Sequence, residues 1–233
     1  MTRLEAGMAV DMYHHNAIAA ALRRVVRGVV PLVASVSGGQ GVDVLCGRMF
    51  ASGQRVKLLD DMGLSEAHVV AEVVADEVQL VDEIAHAFLT ENGARLQLDE
   101  GVAAGLKWVA QGRPELAPTP RWGELPAVVV EPGSMAQPES AGTNRTYQQE
   151  YRFRVYYLRR AAEGEEASVA LLDEVEELFN LIMSDPYLGR TCWHAQVTGV
   201  DTRPAEEEEL RKKVPGLSVV RLDVLAERSE VWS

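Results

Sequence analysis

The chain has 233 residues, of which 47% are hydrophobic and 25% charged, with a formal net charge of −12. That length and apolar content suffice for a real core in one large domain or two small ones and exclude wholesale disorder. The acidic balance disfavours a nucleic-acid binder that works by neutralising phosphates. Cys46 and Cys192 are the two cysteines, far too few for a disulfide framework, so a reducing compartment is expected. Met1 to Ala6 lack an apolar signal region, and no run approaches the roughly 20 apolar residues of a membrane helix, so neither secretion nor a membrane partner is expected.

Residues 1–12 read as a loose arm. Asn16 is placed to cap a helix from Ala17 to about Arg27, with Ile18, Leu22, Val25 and Val29 as its stripe and Gly28 as its stop. From Val29 to Leu98 short β-type runs alternate with turn residues. They include Leu32–Val36, Val42–Cys46, Gln54–Leu58, His68–Val74, Glu77–Val81 and Ala94–Leu98, with a tight hairpin turn at Ala75-Asp76. Strands at this spacing predict a small antiparallel barrel or sandwich.

Gly101 to Gly112 reads as a second short helix, and four prolines make 113–126 an extended connector. Ala127–Val130 is a short apolar strand, and 131–146 a long loop rich in Gly, Pro, Ser, Asn and Gln. In Tyr151–Tyr157, residues Tyr151, Phe153, Val155 and Tyr157 share one face and Arg152 and Arg154 the other, the period of a half-buried strand. From Glu166 the period becomes helical, with Leu171, Leu172, Val175, Leu178, Phe179 and Ile182 inward, Glu174, Glu176 and Glu177 outward, and Asp185-Pro186 as the stop. A strand at 195–200, a charged excursion at 203–215 and a last strand at 218–226 follow. The predicted fold is α+β: a mostly antiparallel sheet with helices packed on one face, plus a small barrel-like all-β insertion. Residues 1–28 belong to the main domain, 29–99 form the insertion and 100–233 complete the main domain.

Few residues invite chemistry. His14-His15 point apart on a helix and have no partner at ligand spacing, so a surface pair is the plainer reading than a metal site. Cys192 and His194 would share a strand face, which admits a thiol–imidazole nucleophile of a hydrolase against a plain half-buried thiol. Gly38-Gly39-Gln40-Gly41 lacks the Lys-Ser/Thr of a phosphate loop and is a turn. Asp60-Asp61 with Glu66 does not follow the ligand order of a calcium loop and reads as a solvated turn. Asn144-Arg145-Thr146 fits a glycosylation sequon that, without a signal peptide, has no route to modification. No catalytic, cofactor or metal residue is assigned. Glu206, Glu207, Glu208 and Glu209 form either a solvated loop or, functionally, an electrostatic contact or a wall facing DNA. Arg152 and Arg154, flanked by Arg159 and Arg160, call for carboxylates opposite, from the acidic helix face with Glu174 and Glu177 or from the acidic loop of a neighbouring subunit.

Leu106–Pro114, then Leu125–Glu131, resemble the run entering the first strand in tail terminator (tail completion) proteins of long-tailed phages. The Tyr151–Tyr157 strand, the acidic helix, Tyr187-Leu188-Gly189, the strand ending Val197–Asp201, the charged insert and the last strand are similar too. The likeness covers about residues 1–28 and 100–228. Residues 29–98 depart from it, although Gly53–Leu58 and the following hairpin resemble small β modules of phage neck proteins. The resemblance implies a hexameric homo-oligomeric ring in the virion neck, assembled in the host cytoplasm. Such a ring caps the head-proximal end of the tail tube, ends tube polymerisation and meets the head connector or adaptor, and genomic DNA passes through its lumen. Its subunit contacts would draw on the charged residues above. A loop with Pro132, Gly133, Ser134, Gly142 and Asn144 would order against the tail tube protein. The alternatives are a head-completion or adaptor protein on the portal side of the neck, the hydrolase, and a stand-alone binding module built on 29–98.

Overall fold

The computed structural model describes residues 3–113, 122–135, 139–140, 146–160 and 165–231. The chain divides into two compact units, Arg24–Gly105 and a second made of Met1–Arg23 with Leu106–Ser233. The mixed α+β class is as expected, with four α-helices and three sheets among the described residues.

Helix α1 spans Arg3–Val25, so the expected loose arm is helical from Arg3 onward and Asn16 lies inside the helix rather than at its cap. Asn16 Oδ1 instead accepts a hydrogen bond from Gln111 Nε2 at 3.2 Å. Ile18, Leu22 and Val25 are buried as the stripe required. The helix ends as expected: Gly28 takes a left-handed φ of 62° and its N–H closes on Val25 O at 2.8 Å.

The Arg24–Gly105 unit contains β1 (Val29–Pro31), β2 (Val36–Ser37), β3 (Gly41–Asp43), β4 (Arg55–Leu59), β5 (Ser65–Val74), β6 (Glu77–Leu80), β7 (Ala87–Phe88) and β8 (Arg95–Leu98). The short helix α2 (Gly101–Gly105) follows. Six strands pair antiparallel in the order β1-β8-β4-β5-β6-β3. The ends then meet: Leu32 bridges Val44, Val33 N–H reaches Asp43 O at 2.8 Å, and Leu45 N–H reaches Pro31 O at 3.1 Å. The sheet is therefore a closed barrel, the first of the two expected alternatives, and closure removes the free edges that an open sheet must protect. Alternation fills the interior with Val42, Val56, Leu58, Val70, Val78, Leu80 and Leu96, all at most 1% exposed. The two-residue turn at Ala75-Asp76 is present, with Ala75 at φ 56°.

The turn after β4 is built by Asp60, whose Oδ1 accepts the N–H groups of Met62 (3.0 Å) and Leu64 (2.8 Å). Glu66 is not part of a solvated turn. Its side chain is 11% exposed, and its carboxylate accepts the backbone N–H groups of Ala85 (3.0 Å) and His86 (2.6 Å), with His68 Nε2 at 3.1 Å and His86 Nδ1 also in contact. Burial pushes its pKa up, but these donors together outweigh that and hold it below the ordinary value. A depressed carboxylate contributes stability above its unfolded pKa of about 4.3 and loses it as pH falls through the lower folded value. Glu66→Gln, whose amide cannot accept from donors on both sides, is expected to destabilise the protein by about 2 kcal/mol at neutral pH. Thermal melts should show the gap from wild type narrowing as pH falls below about 4; a gap independent of pH would contradict the pinned carboxylate.

The second unit holds β9 (Trp108–Gln111), β10 (Ala127–Met135), β11 (Glu139–Ser140), β12 (Thr146–Arg160), α3 (Glu165–Ser184), β13 (His194–Asp201), α4 (Glu206–Lys213) and β14 (Leu217–Val231). Its sheet runs β13-β14-β12-β10-β9, with β11 on β12. Three expectations are corrected. The helix expected over 101–112 stops at Gly105, because Trp108–Gln111 pair in parallel with Ala127–Val130. The loop expected over 131–146 is strand at both ends: β10 runs through Met135 and β12 begins at Thr146, pairing with β14 residue for residue from Thr146↔Val231 to Arg160↔Leu217. Pro132, Gly133 and Ser134 therefore lie in β10, around a register shift. Gly142 and Asn144, with Arg145 of the sequon, lie outside the described residues. Third, the charged excursion is the helix α4, with Leu210 fully buried.

Tyr151, Phe153, Val155 and Tyr157 are buried on one face of the sheet as expected, against the ring of His15 (4.8 Å from Phe153) and against α3 through Glu174. On the other face Arg152 and Arg154 are exposed, but Tyr156 and Leu158 are wholly buried. They belong to a second core with Leu125, Ala127, Val129, Leu210, Val214, Leu217 and Val219, flanked by Trp108, which α4 covers. Within α3 the inward stripe is Val175, Leu178, Leu181 and Ile182, whereas Leu172 is 53% exposed.

Candidate functional site

The half of this second face that α4 leaves open carries a cluster of paired charges, and strand register puts it there. Glu131 of β10 lies opposite Arg154 of β12, which lies opposite Asp223 of β14. Two residues along, Tyr156 lies opposite Arg221, which lies opposite Asp201 of β13. Side chains two apart on a strand share a face, so the two rows form a ladder of alternating charge.

Glu131 is 8% exposed. Its carboxylate accepts the Tyr156 hydroxyl at 2.9 Å, with Arg154 Nη1 and Arg113 Nε each at 3.6 Å. α4 delivers Glu206 to the same place, 3.2 Å from the Tyr156 hydroxyl, 3.7 Å from Arg154 and 3.5 Å from Arg221. Arg221 also reaches Asp223 (3.2 Å) and Asp201 (3.4 Å). Burial, then donation to Glu131 and the nearby carboxylates, pushes the Tyr156 hydroxyl pKa up. Burial works against the Arg154 charge, but Tyr156, Glu131 and Glu206 outweigh it and hold the guanidinium firmly protonated.

Beside the ladder lies an open trough of about 790 Å³, walled by Arg113, Glu131, Arg152, Arg154, Thr198 and Leu225. Gly133 forms part of its rim because the backbone is tight there: a Cβ would sit 2.7 Å from Arg152 O.

The expected charged residues are thus partly gathered. Arg152, Arg154 and Glu206 come to one face, and the carboxylates opposite the arginines come largely from their own chain. Arg152 lies 3.6 Å from Glu150. Arg159 sits on the other face, paired with Glu174 at 2.8 Å beside the Tyr157 hydroxyl; Glu174 is thus part of the helix–sheet seam rather than the outer surface, and Glu177 is only partly exposed. Glu207, Glu208 and Glu209 pair along α4 with Arg211 (2.9 Å) and Lys212 (3.8 and 2.7 Å). Sequence reasoning missed Glu131, Tyr156, Asp201, Arg221 and Asp223. Only the pairing register brings them together, although a glutamate ending the apolar run Ala127–Val130 was a visible signal.

The Cys192–His194 pair is not assembled for nucleophilic chemistry. Cys192 precedes β13, is buried, and hydrogen-bonds Pro186 O at 3.9 Å, while His194 is exposed. Burial, with Asp185 nearby, pushes the thiol pKa up to about 12, the reverse of an activated cysteine. His15 is an inward ring against Tyr151 and Phe153; burial lowers its pKa, opposed by the hydrogen bond that it donates to the backbone carbonyl of Arg152. Among the described residues no three His, Cys, Asp or Glu side chains converge on a metal position, and no helix is long and apolar enough to cross a membrane.

No protein-family model matches this chain, and no curated protein matches it.

Proposed function

We propose that the protein is a structural component of a phage neck: a subunit of a ring that caps the head-proximal end of the tail tube, ends its polymerisation and joins the tail to the head connector. The observation that carries the reading is the asymmetry of the main unit. Its sheet ends in two unlike edges, antiparallel β13 and parallel β9, and its two faces differ, one covered by α3 and the other by α4 and the charge ladder. A closed ring needs two different, complementary surfaces on one subunit. The order strand, strand, helix, strand, strand in β10, β12, α3, β13 and β14 is one part of the pattern on which the resemblance to tail terminators rests, beside the runs Leu106–Pro114 and Leu125–Glu131. Beyond Glu150 and Glu227 the paired β12 and β14 continue for four residues, flanked among the described residues by β11 alone, an extension of about 13 Å suited to reaching a neighbour or the tube.

Tails made with and without the protein test this. With it, electron microscopy should show tubes of uniform length with the chain at the head-proximal end; without it, tubes should run on past that length. Tubes of normal length that fail to join heads would favour the portal-side adaptor. Absence of the chain from every virion particle would overturn both.

A further inference from the structure

The outer face of α3 is unusual for a solvent-facing helix. Its exposed described side chains are Val169, Leu172, Asp173, Glu176, Asn180 and Met183, which at 3.6 residues per turn fall within about 100° of arc. Val169 and Leu172 are more than half exposed and Met183 is 38% exposed, beside two carboxylates that make no ion pair among the described residues. A stripe mixing bare aliphatic groups with acids fits a partner that is apolar at its floor and basic at its walls.

The trough on the opposite face of the same sheet offers both. Leu225 and Pro132 contribute to its lining and Arg113, Arg152 and Arg154 stand along it, while its two carboxylates, Glu131 and Asp223, are already engaged by Tyr156, Arg154 and Arg221. Their side chains are 69%, 65% and 48% exposed, and their nearest carboxylates among the described residues lie at 3.6 Å, beyond good hydrogen-bond length, so Arg113 and Arg152 make no close ion pair among those residues. Apart from Arg113, which follows β9, the lining comes from β10, β12, β14 and β13, three strand gaps of about 4.8 Å or about 14 Å in all. A helix with its side chains is about 10–12 Å across.

We infer that the trough of one subunit receives the outer face of α3 from the next copy of this chain, with Asp173 and Glu176 meeting Arg113 and Arg152, and Leu172 lying over Leu225. The contact joins opposite faces of the sheet, so it is heterologous and propagates head to tail, as a ring requires. This inference rests on the ring reading and names the surfaces that would make the ring.

Sedimentation of the purified chain tests it through two variants, Arg113→Glu/Arg152→Glu and Asp173→Lys/Glu176→Lys. The wild type should self-associate, more weakly at about 500 mM than at about 50 mM salt. Each variant alone should raise the dissociation constant at least about tenfold. A one-to-one mixture should recover association, because each reversed trough then meets a reversed helix in alternation, which a six-membered ring permits. Leu172→Ser, on the exposed stripe and harmless to the fold, should also weaken association. Variants that fold and associate like wild type overturn the pairing, as does a mixture of folded variants that fails to recover. A wild type still monomeric at about 1 mM in low salt overturns it too. The ring reading is judged separately, by the protein's place on tails.

Discussion

Replacing Gly47 by alanine is expected to destabilise the barrel by about 3 kcal/mol and to lower its melting temperature by at least about 10 °C. Gly47 opens a 3-10 turn between β3 and β4, and a Cβ there would sit 2.2 Å from Ala75 O and 3.0 Å from Asp76 Cα. Neither atom can swing away as a side-chain tip can. Ala75 is already in the left-handed region, and Asp76 is tied on both sides: its Oδ1 accepts Gly47 N–H at 3.0 Å and its O accepts Val44 N–H at 2.9 Å. Moving the hairpin would break the contacts that anchor it. Gly53 is the control. Its φ is 86°, but nothing lies within 4 Å of a Cβ, so Gly53→Ala should cost only about 1 kcal/mol of backbone strain. Equal melting of wild type and Gly47→Ala would refute the packed-turn account.

Leu210→Ala is expected to cost about 3 kcal/mol and to release α4 from the sheet. Leu210 is fully buried in a cluster with Tyr156, Leu158, Val214, Leu217 and Val219, and is the buried residue of its helix. Eight residues are too few to hold a helix in water without tertiary support. Losing α4 also removes Glu206 from Tyr156, Arg154 and Arg221. Hydrogen exchange should show α4 amides losing protection while the central amides of β12 and β14 keep theirs. Glu208→Ala, at a side chain 84% exposed, should stay within about 0.5 kcal/mol of wild type. Protection of α4 unchanged in Leu210→Ala would mean that its ion pairs hold it instead.

These two positions also mark how far the sequence could be read. Local signals were legible: the period-two face of Tyr151–Tyr157, the two-residue turn at Ala75-Asp76, the stops at Gly28 and Pro186. Each depends on residues a few places apart. The strand Trp108–Gln111 was not legible, because its pairing partner Ala127–Val130 lies beyond a proline-rich connector and Gly101–Gly105 begins as a helix. α4 was hidden because Leu210 alone gives it an apolar side. Its other signal, four glutamates in the first turn and Arg211, Lys212 and Lys213 in the last, matches the helix dipole and could have been used. The candidate site was half legible. Arg152 and Arg154 stood out by alternation, but that Glu131, Asp223 and Arg221 face them depends on cross-strand register, which no single strand encodes. Leu172 was placed inward because the apolar stripe looked wide; the sheet has room for only part of it.

The closed barrel has one further consequence. Its incoming and outgoing strands are partners, Val29 opposite Gln97, and Leu98 N–H bonds Gly28 O at 3.0 Å, so about 70 residues begin and end within one hydrogen bond of each other. A segment with such ends is topologically a cassette. It can be swapped for another small fold, or tagged at its far turns, with no change in the spacing of the two chain ends that the host unit must bridge.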